Sequence, residues 1–169
     1  MVTTDQDTIR GALKYDMGSN LIYLIDQGRV KTFSSQKIFY FEIFDINVDN
    51  YRQFYSLPFK VGISYKIPIL FELQYEGPFS LLTREALIQE SAPSTSTYWG
   101  GSYTRIRLVH TFYFVDKEGN ITLYTGRKRE LLDLMDDKSD YIKDYIKEYR
   151  LQVDELQDLI RITAFYNSI

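Results

Sequence analysis

Short apolar runs separated by turn residues cover the chain from residue 6 to residue 126. Gly, Asn or Pro stands between the runs at residues 17–20, 26–28, 76–78 and 117–120, and these residue types favour chain reversal. Short loops join antiparallel neighbours, whereas parallel strands need long crossover connections. The pattern therefore predicts an antiparallel meander of short strands.

The predicted strands differ in how their two faces are patterned. Residues 66–76 and 103–115 alternate between apolar and polar positions, which is typical of strands with one solvated face. Pro68 has no N–H for a sheet ladder, so the first of these strands is predicted at a sheet edge or with a bulge there. Residues 38–44 are apolar on both faces except at Glu42, which predicts a central strand covered on both sides.

After Gly126 the apolar spacing changes to a period of about 3.6 residues, which indicates helices. We predict three: one over residues 127–135, one with Ser139 as its N-cap, and one that Asp154 and Gln157 begin as a capping box. Each has a single apolar stripe, so each needs a partner surface.

The predicted fold class is α+β: a coiled antiparallel β-sheet followed by three short C-terminal α-helices. The sheet is a meander, a roll or a partial barrel over residues 1–126, and residues 127–169 form a helical part docked on it. We expect residues 1–169 to form one domain, since a chain of 169 residues is long enough to bury its own core.

Composition excludes several kinds of chemistry. The chain has no cysteine, which excludes disulfides, thiolate nucleophiles and iron–sulfur clusters, and its single histidine excludes a multi-histidine metal site within one chain. A formal net charge of −3 argues against a nucleic-acid partner. No apolar run is long enough for a transmembrane helix. We expect no cofactor and no metal site.

Two acidic stretches match metal sites only in part. Asp45, Asn47 and Asp49 have the opening spacing of an EF-hand loop, but Asn50 and Ser56 stand where that loop needs Gly and a bidentate Glu. A polar turn after an apolar strand is the preferred interpretation. An acidic cluster in the predicted helices is explained by helix N-terminal charges and solvated faces. Its residues are Asp133, Asp136, Asp137, Asp140 and Asp144.

Four ionisable residues on the predicted strands are candidates for hydrolytic chemistry. Glycoside hydrolysis needs two carboxyl groups, and Glu42, Glu72 and Glu85 lie on or near strands. For Glu72, the solvated face of an edge strand is the alternative role. His110 falls on an apolar strand face, and a core histidine is preferred because the sequence names no nucleophile for it to activate. No residue is assigned as catalytic.

The Ser-, Thr- and Gly-rich residues 91–102 predict a long loop between two strands. Aromatic side chains on such a loop can clamp a sugar, a peptide or a partner surface, and two arginines on the polar face of the next strand can donate hydrogen bonds. The alternative is that the loop tryptophan covers the sheet. The predicted ligand-binding residues are Tyr98, Trp99, Tyr103, Arg105 and Arg107.

Several segments resemble uncharacterised, exported proteins of Bacteroidota bacteria. The segments are residues 7–11 (DTIRG), 52–58 (RQFYSLP), 71–77 (FELQYEG), 81–85 (LLTRE) and 165–169 (FYNSI). Such proteins usually begin with a signal peptide, so the resemblance implies a periplasmic or secreted protein, and the polar N-terminus fits a chain that starts after such a peptide. Without the resemblance, the same N-terminus favours the cytoplasm. The resemblance implies no activity.

The leading hypothesis is a non-enzymatic, exported binding or scaffolding module with a protein, peptide or carbohydrate ligand. The alternative is a hydrolase that uses carboxylates on the sheet, for example on glycosides. A deep cleft with two facing carboxylates, or with an exposed His110 beside one of them, would favour the hydrolase. A shallow aromatic surface would favour the binding module.

Overall fold

The computed structural model describes residues 1–47, 49–61, 65–93 and 102–169. These residues form ten strands and three α-helices, and the three α-helices follow the last strand. The strands are β1 (Val2–Thr3), β2 (Ala12–Asp16), β3 (Leu21–Asp26), β4 (Arg29–Ser34), β5 (Ile38–Asp45), β6 (Asn50–Val61), β7 (Tyr65–Tyr75), β8 (Ser80–Pro93), β9 (Ser102–Val115) and β10 (Ile121–Tyr124). The helices are α1 (Lys128–Leu134), α2 (Ser139–Tyr149) and α3 (Leu156–Ser168).

The strands form two antiparallel sheets. The larger has seven strands in the order β1-β5-β6-β7-β8-β9-β10, so β5 to β10 form an uninterrupted meander. The smaller has three strands in the order β2-β3-β4. Within the described residues neither sheet closes on itself, and the predicted α+β class is confirmed. The separation of β2–β4 into a second sheet was not predicted.

Cross-strand register defines two faces of the larger sheet. Phe54 on β6 pairs with Glu72 on β7, Glu72 pairs with Thr83 on β8, and Thr83 pairs with Phe112 on β9. Side chains of directly paired residues lie on the same side of a sheet. We call the side that carries these residues face A and the opposite side face B.

One part of face B is buried by the coiling of the sheet itself. Its apolar cluster contains Ile69, Phe71, Leu82 and Tyr113. The rings of Phe59 on β6 and Tyr113 on β9 meet edge to face with centroids 5.4 Å apart, although two other strands separate β6 from β9. The sheet therefore curls around face B.

Face A is covered by two different elements. At one end the helices pack on Leu81, Phe112, Phe114 and neighbouring apolar residues through their own buried side chains, such as Leu159. At the other end Ile22 and its neighbours on the three-stranded sheet pack on β5, β6 and β7. The cleft described below lies between these two coverings.

Two of the predicted helix starts are wrong. Ser139 is already helical, with φ −57° and ψ −36°, and the preceding capping position is Lys138, which makes no side-chain capping bond. The third helix has Glu155 rather than Asp154 at its capping position, again without such a bond. Tertiary packing supplies most of the stability of helices this short, so a side-chain cap is not required for them to form.

The prediction that Pro68 marks a sheet edge needs correction. Strand β7 lies between β6 and β8, and Pro68 pairs with Pro58 on β6. The β7–β8 ladder pairs Glu72 with Thr83 and continues from there to the C-terminal end of β7. Pro68 therefore lies outside the β7–β8 ladder, and its missing N–H costs that ladder no hydrogen bond.

Two further strand predictions differ from the structure. Strand β5 is not covered on both sides, since Phe39 and Phe44 are 59% and 48% exposed, and its outer neighbour β1 has only two residues. The loop predicted at 91–102 does not include its first and last residues, because β8 continues to Pro93 and pairs there with Ser102 at the start of β9. Residues 94–101 of that prediction lie outside the described residues. Across the described residues, none of the helices has both the length and the apolarity to cross a membrane.

Candidate functional site

A cleft crosses face A between the three-stranded sheet and the start of α3, and it contains two adjoining cavities. The polar chamber, of about 420 Å³, has charged residues of the sheet as its floor and reaches Leu156 and Gln157 of α3. The apolar chamber, of about 330 Å³, is lined mainly by residues of β2, β5 and β6. The two chambers share Asp45, Arg52 and Glu85.

The register of four strands brings the charged residues together. Arg52 lies two residues before Phe54 and Glu85 lies two residues after Thr83, so alternation places both on face A with Glu72. His110 pairs directly with Glu85 across the β8–β9 ladder and therefore shares that face. Residues far apart in sequence thus meet in the part of face A that neither covering reaches.

Arg52 connects the two glutamates. Its Nε donates to Glu72 Oε1 at 2.7 Å and its Nη2 to Glu72 Oε2 at 2.5 Å, which is a two-point ion pair. The same Nη2 lies 2.8 Å from Glu85 Oε1. The hydrogen bond to Glu72, followed by that to Glu85, raises the pKa of Arg52 above its usual range. Arg52 is a permanent cation held between two carboxyl groups.

Asp45 completes this ion network at the boundary between the chambers. Its Oδ2 lies 3.5 Å from Arg52 Nη1, and its Oδ1 accepts from the backbone N–H of Asn47 at 2.9 Å. The backbone hydrogen bond from Asn47 is the main cause that lowers the pKa of Asp45, and the Arg52 charge adds to it. Asp45 therefore belongs to the cleft, and the polar turn expected after β5 is present at Asn47.

The network is largely withdrawn from water. The side chains of Glu72 and Glu85 are only 9% and 12% exposed, and that of Arg52 is 24% exposed. The alternative placement of Glu72 on a solvated strand face is therefore wrong. Sequence alternation assigned it to the polar face of its strand, but the three-stranded sheet and the helices flank that face on either side.

His110 lines the polar chamber and is not a core histidine. Its Nε2 lies 3.2 Å from Glu85 Oε1, and its side chain is 29% exposed. Its ring is nearly parallel to that of Phe112, with centroids 6.5 Å apart. The apolar covering from the helices reaches Phe112 and ends before His110. The alternation pattern places His110 on the same strand face as Phe112, but it cannot show that the covering ends between them.

The third candidate glutamate lies elsewhere. Glu42 pairs with Gln53, which points away from face A because its neighbours Arg52 and Phe54 lie on that face. Gln53 Nε2 donates to Glu42 Oε1 at 3.1 Å. The structure thus joins Glu72 and Glu85 and excludes Glu42 from the cleft.

The predicted ligand-binding residues of the loop region are not in this cleft where the structure describes them. Tyr98 and Trp99 lie outside the described residues, and so does the side chain of Tyr103, whose backbone belongs to β9. Arg105 and Arg107 extend from β9 on face B, each 56% exposed, and each has a guanidinium nitrogen 3.0 Å from a carboxylate oxygen of Glu90.

Sequence reasoning missed Arg52, the residue at the centre of the network. A signal for it was present: in the stretch Tyr51-Arg52-Gln53-Phe54, Arg52 has the same alternation phase as Phe54, which is 5% exposed. A charged residue at an inward position of a strand needs a partner of opposite charge. The identity of that partner depends on the register of β6 against β7, which one sequence does not supply.

We compared the chain with protein-family models, with curated proteins and with solved structures, and none of the three comparisons gave a match. The resemblance to exported Bacteroidota proteins therefore stays a prediction, and function is inferred from the geometry of the cleft.

Proposed function

We propose that this protein is a non-enzymatic, exported binding module and that the cleft on face A is its binding site. The observation that carries the proposal is the Arg52 guanidinium that joins Glu72 and Glu85 on the cleft floor. Withdrawing such charges from water costs free energy, and apolar side chains in their place are often neutral or stabilising. A charged floor here is therefore better explained by recognition than by stability.

The shape of the cleft supports the same proposal. Binding sites for small ligands are usually preformed, mostly apolar concavities with a few convergent polar groups. The apolar chamber provides the walls, and Arg52 and Glu85 provide polar groups at its boundary with the polar chamber. The ligand is a small molecule or a side chain of a peptide, since a space of this size admits nothing larger.

Glycoside hydrolysis fits this arrangement less well. It needs one carboxyl group to protonate the leaving oxygen and the other to act as a nucleophile or a base. Arg52 hydrogen-bonds to Glu72 through both carboxylate oxygens and contacts Glu85 as well. It thus occupies the position between the two carboxyl groups where the glycosidic bond would have to lie.

A hydrolase that uses His110 is the second candidate function. A carboxylate that orients a histidine is the usual arrangement of a general base, and Glu85 lies 3.2 Å from His110 Nε2. Among the described lining residues of the polar chamber, only Tyr51 carries a hydroxyl group. Because a tyrosine is an uncommon acyl acceptor, His110 would act on a water molecule.

Thermal unfolding with a panel of soluble probes tests the binding function. The panel contains small amines, carboxylic acids, mono- and disaccharides and short peptides. A probe at 100 times its Kd stabilises the native state by about 2.7 kcal/mol. We expect at least one probe to raise the Tm of the wild-type protein and of Glu90→Gln, but not of Glu85→Gln. Glu90 is the matched control because it lies on the same strand and faces the opposite side.

A panel without any stabilising probe would contradict the binding function at this cleft. The hydrolase alternative is tested with 4-nitrophenyl esters and glycosides. Release of nitrophenol by the wild-type protein, and its loss in a folded His110→Asn variant, would establish hydrolysis and overturn the non-enzymatic function.

Export is the remaining part of the proposal, and it rests on the sequence resemblance. Antibodies against the protein, applied to fractionated cells of its native host, are expected to detect it in the periplasmic, surface or secreted fraction. Its recovery in the cytoplasmic fraction alone would contradict export.

A further inference from the structure

We infer that the ligand of the cleft is an organic ammonium ion with an apolar body. This inference rests on the proposed binding function and specifies the chemistry of its ligand. A free alkylamine and the lysine side chain of a peptide share this chemistry. Three features of the cleft support the inference: its charge balance, its unused hydrogen-bond acceptors and its apolar chamber.

Negative charge exceeds positive charge in the polar chamber. Asp45, Glu72 and Glu85 line it together with the single cation Arg52, among the residues that the structure describes. His110 is charged only when protonated, and even then the carboxylates remain in excess. Because these groups are partly buried, water and salt screen them less than surface charges. The chamber thus attracts cations and repels carboxylates and phosphates.

The hydrogen-bonding groups show the same bias. The Nε and Nη2 groups of Arg52 already donate to Glu72 and Glu85, and Nη1 faces Asp45. Four of the five N–H groups of Arg52 are thus directed at carboxylates, so an anionic ligand would find only one N–H of Nη1 unless it displaced a carboxylate. Each carboxylate offers about four acceptor sites, and in the described part of the chain Glu85 Oε2 accepts no hydrogen bond. An ammonium group, which donates three hydrogen bonds and accepts none, matches this surplus of acceptors.

The apolar chamber indicates what is attached to the ammonium group. Its walls include Leu13, Tyr15, Met17, Ile43 and Phe54, and it shares its charged boundary with the polar chamber. A ligand whose ammonium group lies at Glu85 would extend its carbon chain along these walls. Lys14 also lines this chamber but is exposed, so water screens its charge. Burial of each further methylene is expected to tighten binding by about fourfold.

The test uses three probes of equal chain length: n-hexylamine, 1-hexanol and hexanoate. Their Kd values are measured by NMR titration of the wild-type protein, with the backbone amides of the cleft strands as reporters. Hexylamine is expected to bind at least tenfold more tightly than hexanol, and hexanoate is expected to bind more weakly still. Methylamine is expected to bind more weakly than hexylamine, because it leaves the apolar chamber empty.

Variants connect binding to the cleft. Glu85→Gln is expected to weaken hexylamine binding by at least tenfold, and Glu90→Gln on the opposite face is expected to leave it unchanged. If Glu85→Gln does not fold, Asp45→Asn serves instead, because Asp45 is more exposed and lies at the end of its strand. The probe comparison on the wild-type protein does not depend on either variant.

The outcomes separate this inference from the proposed function. If hexanol or hexanoate binds in the cleft as tightly as hexylamine, the cleft is a binding site but the cation inference is wrong. The same holds if only a sugar or an uncharged peptide from the wider panel binds. If no probe of either set binds in the cleft, both proposals are wrong. Nα-acetyl-lysine amide identifies the source: affinity equal to that of hexylamine supports a peptide ligand, and weaker affinity supports a free amine.

Discussion

Arg52 on β6 and Glu72 on β7 form a two-point ion pair at the end of the ladder between these two strands. The β6–β7 ladder ends where Phe54 pairs with Glu72, and Arg52 lies two residues beyond that point. Its Nε and Nη2 reach back to the two oxygens of Glu72 at 2.7 and 2.5 Å. The pair thus connects the two strands where their backbone hydrogen bonding stops, and it forms the floor of the cleft.

Removal of Arg52 alone is expected to destabilise the protein strongly. Arg52→Met would leave Glu72, whose side chain is only 9% exposed, without its partner. Breaking a buried pair from one side costs about 3–5 kcal/mol, whereas replacing both partners with apolar residues is often neutral. We therefore expect Arg52→Met to lose about that much free energy of unfolding in urea, and Arg52→Met with Glu72→Met to recover part of it, because Glu85 would still lack its cationic partner.

Arg105 provides the matched control for this prediction. It pairs with Glu90 at 3.0 Å, also between neighbouring strands, but its side chain is 56% exposed. Exposed pairs contribute about 0–1 kcal/mol. Arg105→Met is therefore expected to change the free energy of unfolding by no more than about 1 kcal/mol. Equal effects of Arg52→Met and Arg105→Met would contradict the structural role given to the buried pair.

The strands and helices were largely predictable from the sequence, whereas their partners were not. Alternation identified the strand around Phe71 because its period matches the pleat, and the change of period after Gly126 identified the helices. Alternation does not specify which surface covers a strand face. It therefore could not show that β2–β4 form a second sheet, nor that both coverings stop short of His110.

The site was predictable only as separate residues. Glu72, Glu85 and His110 are recognisable by their chemistry, but nothing in the sequence groups them or separates them from Glu42. Their grouping depends on the register of β7, β8 and β9, which is determined by turn geometry and by packing of the whole sheet.

Asn167 is expected to stabilise the docking of α3 on the sheet. Its Nδ2 donates to the backbone carbonyl of Phe79 at 2.8 Å, and its Oδ1 accepts from the backbone N–H of Phe79 at 3.0 Å. Asn167→Ala would leave both backbone groups of a partly buried segment without these partners, at a cost of about 1–3 kcal/mol. Ser168→Ala removes only an exposed hydrogen bond to Phe165 and is expected to cost less than about 0.5 kcal/mol.

Chemical unfolding of both variants checks this prediction. The two residues are adjacent on α3, so a general effect on helix stability would appear in both. Asn167→Ala with a free energy of unfolding within about 0.5 kcal/mol of the wild-type value would show that the contact with Phe79 adds nothing to docking.

The phenol of Tyr166 is expected to titrate at unusually high pH. Burial, and secondly its hydrogen bond to Asp137, raise the pKa of Tyr166 from 10.0 to about 12. Because the folded-state pKa is above the unfolded value, the stabilisation is fully present below pH 10 and is lost as the pH rises to about 12. Subtracting the ultraviolet titration of Tyr166→Phe from that of the wild-type protein isolates this residue. A midpoint at pH 10 or below would contradict the prediction.

The helical part is expected to be required for the stability of the sheet, and Leu159 tests this without truncation. Leu159 on α3 is fully buried in the cluster that covers Leu81, Phe112 and Phe114 on face A. If the helices and the sheet unfold together, Leu159→Ala should cost about 2–5 kcal/mol. Amide exchange of β8 and β9 should then accelerate along with that of α3, since both would depend on the same global opening.

Tyr141→Ala on α2 is the control, because Tyr141 is 69% exposed and a surface change there should cost less than about 0.5 kcal/mol. Acceleration confined to the helices in Leu159→Ala would mean that the sheet is stable without them, and the single-domain organisation would then be wrong.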